Sequence, residues 1–267
     1  MRWLKVHGPD AGRFLQNLGT NDVLGPGNCL TAFCDRTGRM KGVARVLKFP
    51  DHYTLAVDGG DLEAHLRRHI IMDRVELEDL TANFAAVDFV EAGALRRAGL
   101  PHELPPFGHA VHGTTLVTRF DITGAPAYQV ASREPTGLER LADVEARRIA
   151  NGFPRWGVDM GPDELPMEAG LTELAISYTK GCYLGQEVIL RIRNFGQLPR
   201  ELRLLDVEAA PGTPIQEGGR ITSSAAGRSL AYVHKGFTSP GTRVTVGGRP
   251  ATVRLPPFQE RMRSSPA

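Results

Sequence analysis

The run Lys180-Gly181-Cys182-Tyr183-Leu184-Gly185-Gln186-Glu187 gathers a cation, a thiol, two glycines, an amide and a carboxylate. Such a run fits poorly in a packed core, because buried charges need partners and a buried amide needs hydrogen bonds. Val188-Ile189-Leu190 follows at once, so the run leads from a loop into an anchored element. Gly181 and Gly185 permit unusual backbone angles and close approach of a ligand or a second backbone. Lys180 is placed to hold Cys182 as a thiolate, since a nearby cation lowers a thiol pKa. The plainer alternative is a tight loop with a semi-buried cysteine. As a nucleophile Cys182 would want a base, and none lies close in sequence. Cys29 and Cys34 flank the apolar Leu30-Thr31-Ala32-Phe33, which points to packing. With three cysteines, the chain cannot by itself ligate a cluster through four thiolates.

Other candidates are weaker. Glu168, after Pro166, suits the first turn of a helix, where the dipole favours a carboxylate. Arg191 and Arg193 are either solvated or carboxylate-binding forks. His65 and His69 have the spacing of a metal pair, but two arginines between them disfavour a cation. No phosphate-binding loop, nucleophile elbow or dinucleotide fingerprint is present.

These residues need a scaffold, and the 267-residue chain is long enough for two or three modest cores. Its hydrophobic fraction of 41%, charged fraction of 23% and net charge of +2 are those of a soluble globular protein with no strong nucleic-acid signature. Neither a bilayer-spanning run nor a secretory signal is evident, and an odd cysteine count makes no disulfide framework, so a cytoplasmic location is expected. Ala11, Phe14, Leu15 and Leu18 mark an amphipathic helix, and Leu62, Leu66 and Ile70 a second, over about 61–71. Strands are expected over 43–49, 53–57, 75–78, 115–122 and 127–131, with a connecting loop over 99–113 and a helix over 138–150. From Leu202 onward short strands are expected over 202–207, 229–234, 243–246 and 251–255, the last two joined by Gly247-Gly248. That pattern suits a small β-barrel or sandwich, and the interleaved elements upstream suit α+β layers. The polar stretch from Gln259 to Ala267 is expected to be disordered.

Several stretches carry a family resemblance. Lys180–Glu187 resembles the K-G-C-F/Y-x-G-Q-E signature of the YgfZ-type folate-binding proteins, relatives of the glycine-cleavage aminomethyltransferase (T-protein). Val6-His7-Gly8-Pro9-Asp10-Ala11-Gly12-Arg13-Phe14-Leu15-Gln16, then Thr20-Asn21-Asp22-Val23, resembles the family's opening. Arg147–Pro154, Pro166–Leu171 and Leu255–Phe258 resemble three further motifs in the same order, whereas roughly 80–135 resembles nothing. The resemblance implies an α+β folate-binding body of two interleaved subdomains over 1–200, a C-terminal β-barrel over 201–260 and a tail over 261–267. It implies tetrahydrofolate as cofactor, iron–sulfur enzymes as clients, and tRNA-modification enzymes among them. It gives Glu168 the edge of a pterin, which needs an acceptor of two hydrogen bonds. Cys182 becomes a functional thiol with Lys180 beside it, and Gly181, Tyr183, Gly185, Gln186, Glu187 and Arg191 become candidate folate contacts. One departure bears on mechanism. Where the aminomethyltransferases carry an acidic pair, this chain reads Gly38-Arg39-Met40-Lys41-Gly42-Val43, with no carboxylate. Its rivals are a true folate-dependent aminomethyltransferase and an RNA-contacting auxiliary protein hinted at by Arg261 and Arg263.

Overall fold

A computed structural model describes residues 1–84 and 86–264. The first unit contains β1 (Arg2–His7), α1 (Ala11–Leu18), β2 (Cys29–Cys34), β3 (Met40–Lys48), β4 (His52–Gly60), α2 (Leu62–His69) and β5 (Glu76–Asp79). Its strands form an antiparallel sheet in the order β2-β3-β4-β1-β5. Alternation along β2 assigns its two faces. Phe33 joins Phe14, Leu15, Leu62 and Leu66 under α1 and α2, whereas Leu30, Ala32 and Cys34 point to the opposite side. The two helices follow the apolar stripes expected of them.

The second unit comprises β6 (Ala86–Val90), α3 (Ala92–Arg97), β7 (His109–His112), β8 (Thr115–Arg119) and β9 (Tyr128–Ser132). Its sheet order is β6-β9-β8-β7. Trp3, Leu47 and Ala56 of the first sheet pack with Leu116 and Ala131 of the second. Arg45 crosses the same junction. Its buried guanidinium donates to Thr118 Oγ1 at 3.0 Å and to Gln129, and lies 4.3 Å over the Phe120 ring. Burial lowers it to about 10, against the opposing pull of Asp58.

Next come α4 (Val144–Asn151), α5 (Thr172–Ala175) and α6 (Gln186–Phe195). The last sheet is built from β10 (Arg200–Leu205), β11 (Gly219–Ala225), β12 (Arg228–His234), β13 (Arg243–Val246) and β14 (Arg249–Arg254), in the order β11-β12-β10-β14-β13. Gly247 and Gly248, at φ 53° and 79°, make the tight hairpin between β13 and β14. Pro214 bridges to Arg220 and Ile215 to Val246, touching both edge strands. The helix α7 (Pro257–Ser264) then brings Phe258 against Phe153 in a central cluster that also holds Met40, Phe120, Met167 and Tyr183. A buried network fixes α4 to this sheet: Arg148 pairs with Asp159 at 2.7 Å, and Asp159 accepts from Thr222 and Ser223.

Several expectations need correction. The helix expected over 138–150 begins only at Val144, because Leu141 donates its N–H to Phe89 O beside β6 and Asp143 adopts φ 53°. The loop expected over 99–113 ends in an edge strand, β7, whose residues are only half-buried or exposed. Residues 259–264, expected to be disordered, lie in α7; residues 265–267 of that stretch fall outside the described residues.

Candidate functional site

The signature run is anchored by its first residue. Lys180 Nζ donates to the carbonyls of Gln16, Gly19 and Asn21, the last two at 2.6 and 2.9 Å. These carbonyls surround the end of α1, where a cation is favoured by the helix dipole and satisfies otherwise unpaired oxygens. A lysine more than 150 positions away thus caps the first helix. Burial lowers Lys180 to about 8, partly offset by the Asp22 charge, and the three acceptors favour its protonated form. The ammonium also sits 4.9 Å over the Tyr183 ring.

That anchorage is shared with the Thr20-Asn21-Asp22 stretch. Thr20 Oγ1 donates to Ala175 O, Asn21 Nδ2 donates to Leu30 O and Leu174 O, and Ser177 donates its N–H to Thr20 O. Leu184 N–H reaches Asn17 O at 3.0 Å. Two motifs far apart in sequence therefore form one structural knot. Gly185 closes it at φ 85°, where an added Cβ would stand 2.6 Å from Asp35 O. The anchored element expected after the loop is a helix, α6, from Gln186 onward.

The loop presents Cys182 to solvent, whereas Cys34 is buried and Cys29 half-buried. Burial pushes Cys29 up to about 11, with Lys48 and Lys180 pulling the other way, and drives Cys34 higher still. The expected pairing of Lys180 with the Cys182 thiol is not what holds this lysine, since its ammonium is engaged by the α1 carbonyls. Gly181 is exposed, and Tyr183 is buried in the central cluster with its hydroxyl unpartnered among the described residues. Gln186 is half-buried in the first turn of α6. Glu187 and Arg191 pair with each other at 3.0 Å on an exposed helix face. Arg193 stacks 3.7 Å over Tyr178.

Glu168 lies apart from the exposed loop and is 3% exposed. Its Oε2 accepts the Leu165 N–H at 3.0 Å, while Oε1 has Arg200 Nε at 3.6 Å. Arg200 also pairs with Glu164 at 2.9 Å and covers the Tyr232 ring. The side chain thus ties the 153–178 segment to the C-terminal sheet.

On the other side of the loop, Leu184 lines a cavity of about 650 Å³ between the β2–β3 turn and α2. Lys41, from the stretch that lacks acids, lines it too and pairs with Asp35 at 2.9 Å. Burial would raise the Asp35 carboxyl, but hydrogen bonds from Thr37, Lys41 and the Thr37 and Arg39 backbone bring it down to about 2. So acidic and so firmly paired, Asp35 is a poor proton acceptor. Asp35 precedes the Gly38–Val43 stretch, so no local pattern marks it as part of the same wall.

No family model matches the chain. Individual proteins do. It is 26% identical over 263 residues to the mouse (Mus musculus) mitochondrial iron–sulfur cluster assembly factor IBA57, covering 87% of this chain and 72% of that one. It is 28% identical over 303 residues to an aminomethyltransferase of Rubrobacter xylanophilus, covering 97% and 81%. It is 27% identical over 266 residues to the tRNA-modifying protein YgfZ of Cronobacter sakazakii, covering 85% and 80%. Its fold matches the glycine cleavage system aminomethyltransferase T from Bartonella henselae with a TM-score of 0.81, at 20% identity over 96% of this chain and 83% of that one. Helices mixed with antiparallel sheets are thus arranged as in that enzyme. The motif order, the knot that joins two of those motifs and these similarities point the same way: the chain is similar in sequence to a YgfZ protein, to an iron–sulfur cluster assembly factor and to aminomethyltransferases, and has the fold of the last.

Proposed function

We propose that this protein binds tetrahydrofolate and supports the assembly or maintenance of iron–sulfur clusters in client enzymes, including enzymes that modify tRNA. The carrying observation is the anchored loop that holds Cys182 exposed in a chain whose other thiols are withdrawn into the sheet. Relationship to an assembly factor and to a tRNA-modifying protein supports the same reading. A free thiol in a reducing cytoplasm suits transient work on a client better than permanent ligation.

The residues present fit a folate. Tyr183 stands among apolar side chains with its buried hydroxyl unpartnered among the described residues, and that hydroxyl offers a polar contact. Glu168 retains acceptor capacity on Oε1. Gly181, Gly185, Gln186, Glu187 and Arg191 complete the proposed contacts, with Glu187 released from Arg191 for the purpose. A reduced folate supplies one-carbon carriage at its N5 and N10 when bound. The C-terminal sheet, touched at both edges by the Pro214–Ile215 segment, is read as a small barrel over 201–260 carried on a 1–200 body.

Aminomethyl transfer is the weaker reading, although two of the relatives named above carry that title. The stretch where the transferases place an acid offers Lys41, and the nearest carboxylate, Asp35, is paired with it. Titration with tetrahydrofolate tests the proposal. The melting temperature is expected to rise with ligand, by mass action, and Glu168→Gln to weaken the response. No shift at about millimolar ligand would remove the folate half of the proposal.

A further inference from the structure

Two backbone groups fix the orientation of the Asn28 amide, which lies just before β2. Its Oδ1 accepts the Lys48 N–H at 2.9 Å, and its Nδ2 donates to Phe107 O at 2.7 Å. The second hydrogen on Nδ2 meets Nδ1 of His109, in β7, at 2.8 Å. Because Nδ2 can only donate, His109 Nδ1 must accept, which makes the ring neutral with its proton on Nε2. These bonds tie the 105–109 strap of the second unit to the first sheet. Phe107 in that strap stands at φ 61°, a left-handed conformation that a bulky residue keeps only where its surroundings hold it. Pro106 and Phe107 also wall a cavity of about 230 Å³ whose other sides include Phe120, Phe153, Leu174 and Phe258 of the central cluster.

We propose that Asn28 and His109 form a pH-sensitive latch on this strap: protonation of His109 at Nδ1 sets a donor against the Asn28 donor, so the strap lifts from the first sheet and opens the cavity. Asn28 cannot answer by turning over, since a flip would set its oxygen against Phe107 O and its amino group against the Lys48 N–H. Burial, with the His52 charge, lowers His109 below the usual imidazole value, as a neutral acceptor requires. His52 stacks at 4.5 Å on the Phe49 ring, against which His109 packs at 4.4 Å, and it pairs with Asp51. The neighbouring charged groups are engaged elsewhere: Lys48 Nζ donates to Gly25 O, and Arg119 pairs with Asp121 and donates to Leu104 O. Cys29, next to Asn28, stays a thiol because burial pushes it up to about 11, and His112 is exposed at the far end of β7. No carboxylate bonds to His109 among the described residues, so nothing there rewards its protonation. A lifted strap returns His109 to an ordinary value of about 6.5, so the open form takes up a proton first as pH falls. Closure is therefore fully favoured above about pH 6.5 and weakens below it, towards the lowered value of the closed form.

The test is amide hydrogen exchange of the full chain, read by mass spectrometry between about pH 7.5 and 5.5 and corrected for the intrinsic exchange rate, with the His109 ring titrated by NMR. Protection of residues 105–112 is expected to fall several-fold over that range, up to the roughly tenfold that one proton allows, while β9, inside the sheet, keeps its protection. In His109→Asn, which keeps an acceptor near Nδ1 but does not titrate, protection of the strap should not change with pH. Asn28→Asp replaces the donor by a carboxylate that accepts from a protonated ring, so His109 is expected to titrate above about 6.5, a reversal that lost packing alone would not produce. Asn28→Ala is expected to leave the strap poorly protected at both ends of the range. Unchanged wild-type protection, the same pH dependence in His109→Asn, or a wild-type His109 that titrates at or above about 6.5 overturns the latch.

Discussion

Cys182 and Lys180 sit two positions apart yet do different work. The thiol faces solvent, while the ammonium faces inward and holds the end of α1. Alkylation of the native protein is therefore expected to modify Cys182 first, Cys29 slowly, and Cys34 only on unfolding, as peptide mapping of a time course would show. Lys180→Ala should leave the Gln16, Gly19 and Asn21 carbonyls short of a donor. It should lower stability by about 1–3 kcal/mol, the scale of such losses, measured by denaturant melts. It is not expected to slow Cys182 labelling, as a charge acting on the thiol would require; marked slowing would restore that electrostatic link. The octapeptide showed that chemistry was concentrated there, but it could not show where the lysine pointed. Its partners lie more than 150 positions upstream.

At the scale of elements, periodicity identified α1 and α2, since each buries one regular stripe, and two apolar runs around Pro50-Asp51 identified the β3–β4 pair, whose central residues are buried on both faces. It also revealed the β8–β9 pair and the Gly247-Gly248 hairpin. It did not reveal β11, Gly-Arg-Ile-Thr-Ser-Ser-Ala, because hydroxyls occupy its inner positions: Thr222 and Ser223 are buried to meet Asp159. The helix expected from Leu138 failed for a tertiary reason, the bond from Leu141 to Phe89, which no local propensity encodes. In the candidate site the loop, its thiol and its glycines were legible, whereas the cavity was not. Its wall is assembled from the β2–β3 turn, α2, Trp156 and Leu184, which lie far apart in sequence. Gly185 is the point at which element and site depend on each other. Gly185→Ala would combine φ 85° with a Cβ 2.6 Å from Asp35 O, so the loop must shift. A loss of about 2 kcal/mol or more is expected, with faster amide exchange across 180–186. A neutral effect would mean that the loop is not held as described.

Over the whole molecule, the end of α1 supplies the carbonyls that anchor the loop, Arg45 of the first sheet ties that sheet to the second, and α7 and the C-terminal sheet close the centre through Phe258 and Arg200 respectively. The chain resembles the aminomethyltransferase in architecture while carrying Lys41 and a paired Asp35 beside the loop. It is also related to an iron–sulfur cluster assembly factor and to a tRNA-modifying protein. The most direct measurement is complementation in a bacterial strain deleted for its own YgfZ-type protein, scored by the activity of an iron–sulfur enzyme that modifies tRNA. Wild-type chain is expected to restore that activity, and Cys182→Ser, folded and expressed to the same level, to restore little of it. Failure of the wild-type chain to restore activity, or full restoration by the serine variant, would contradict the account.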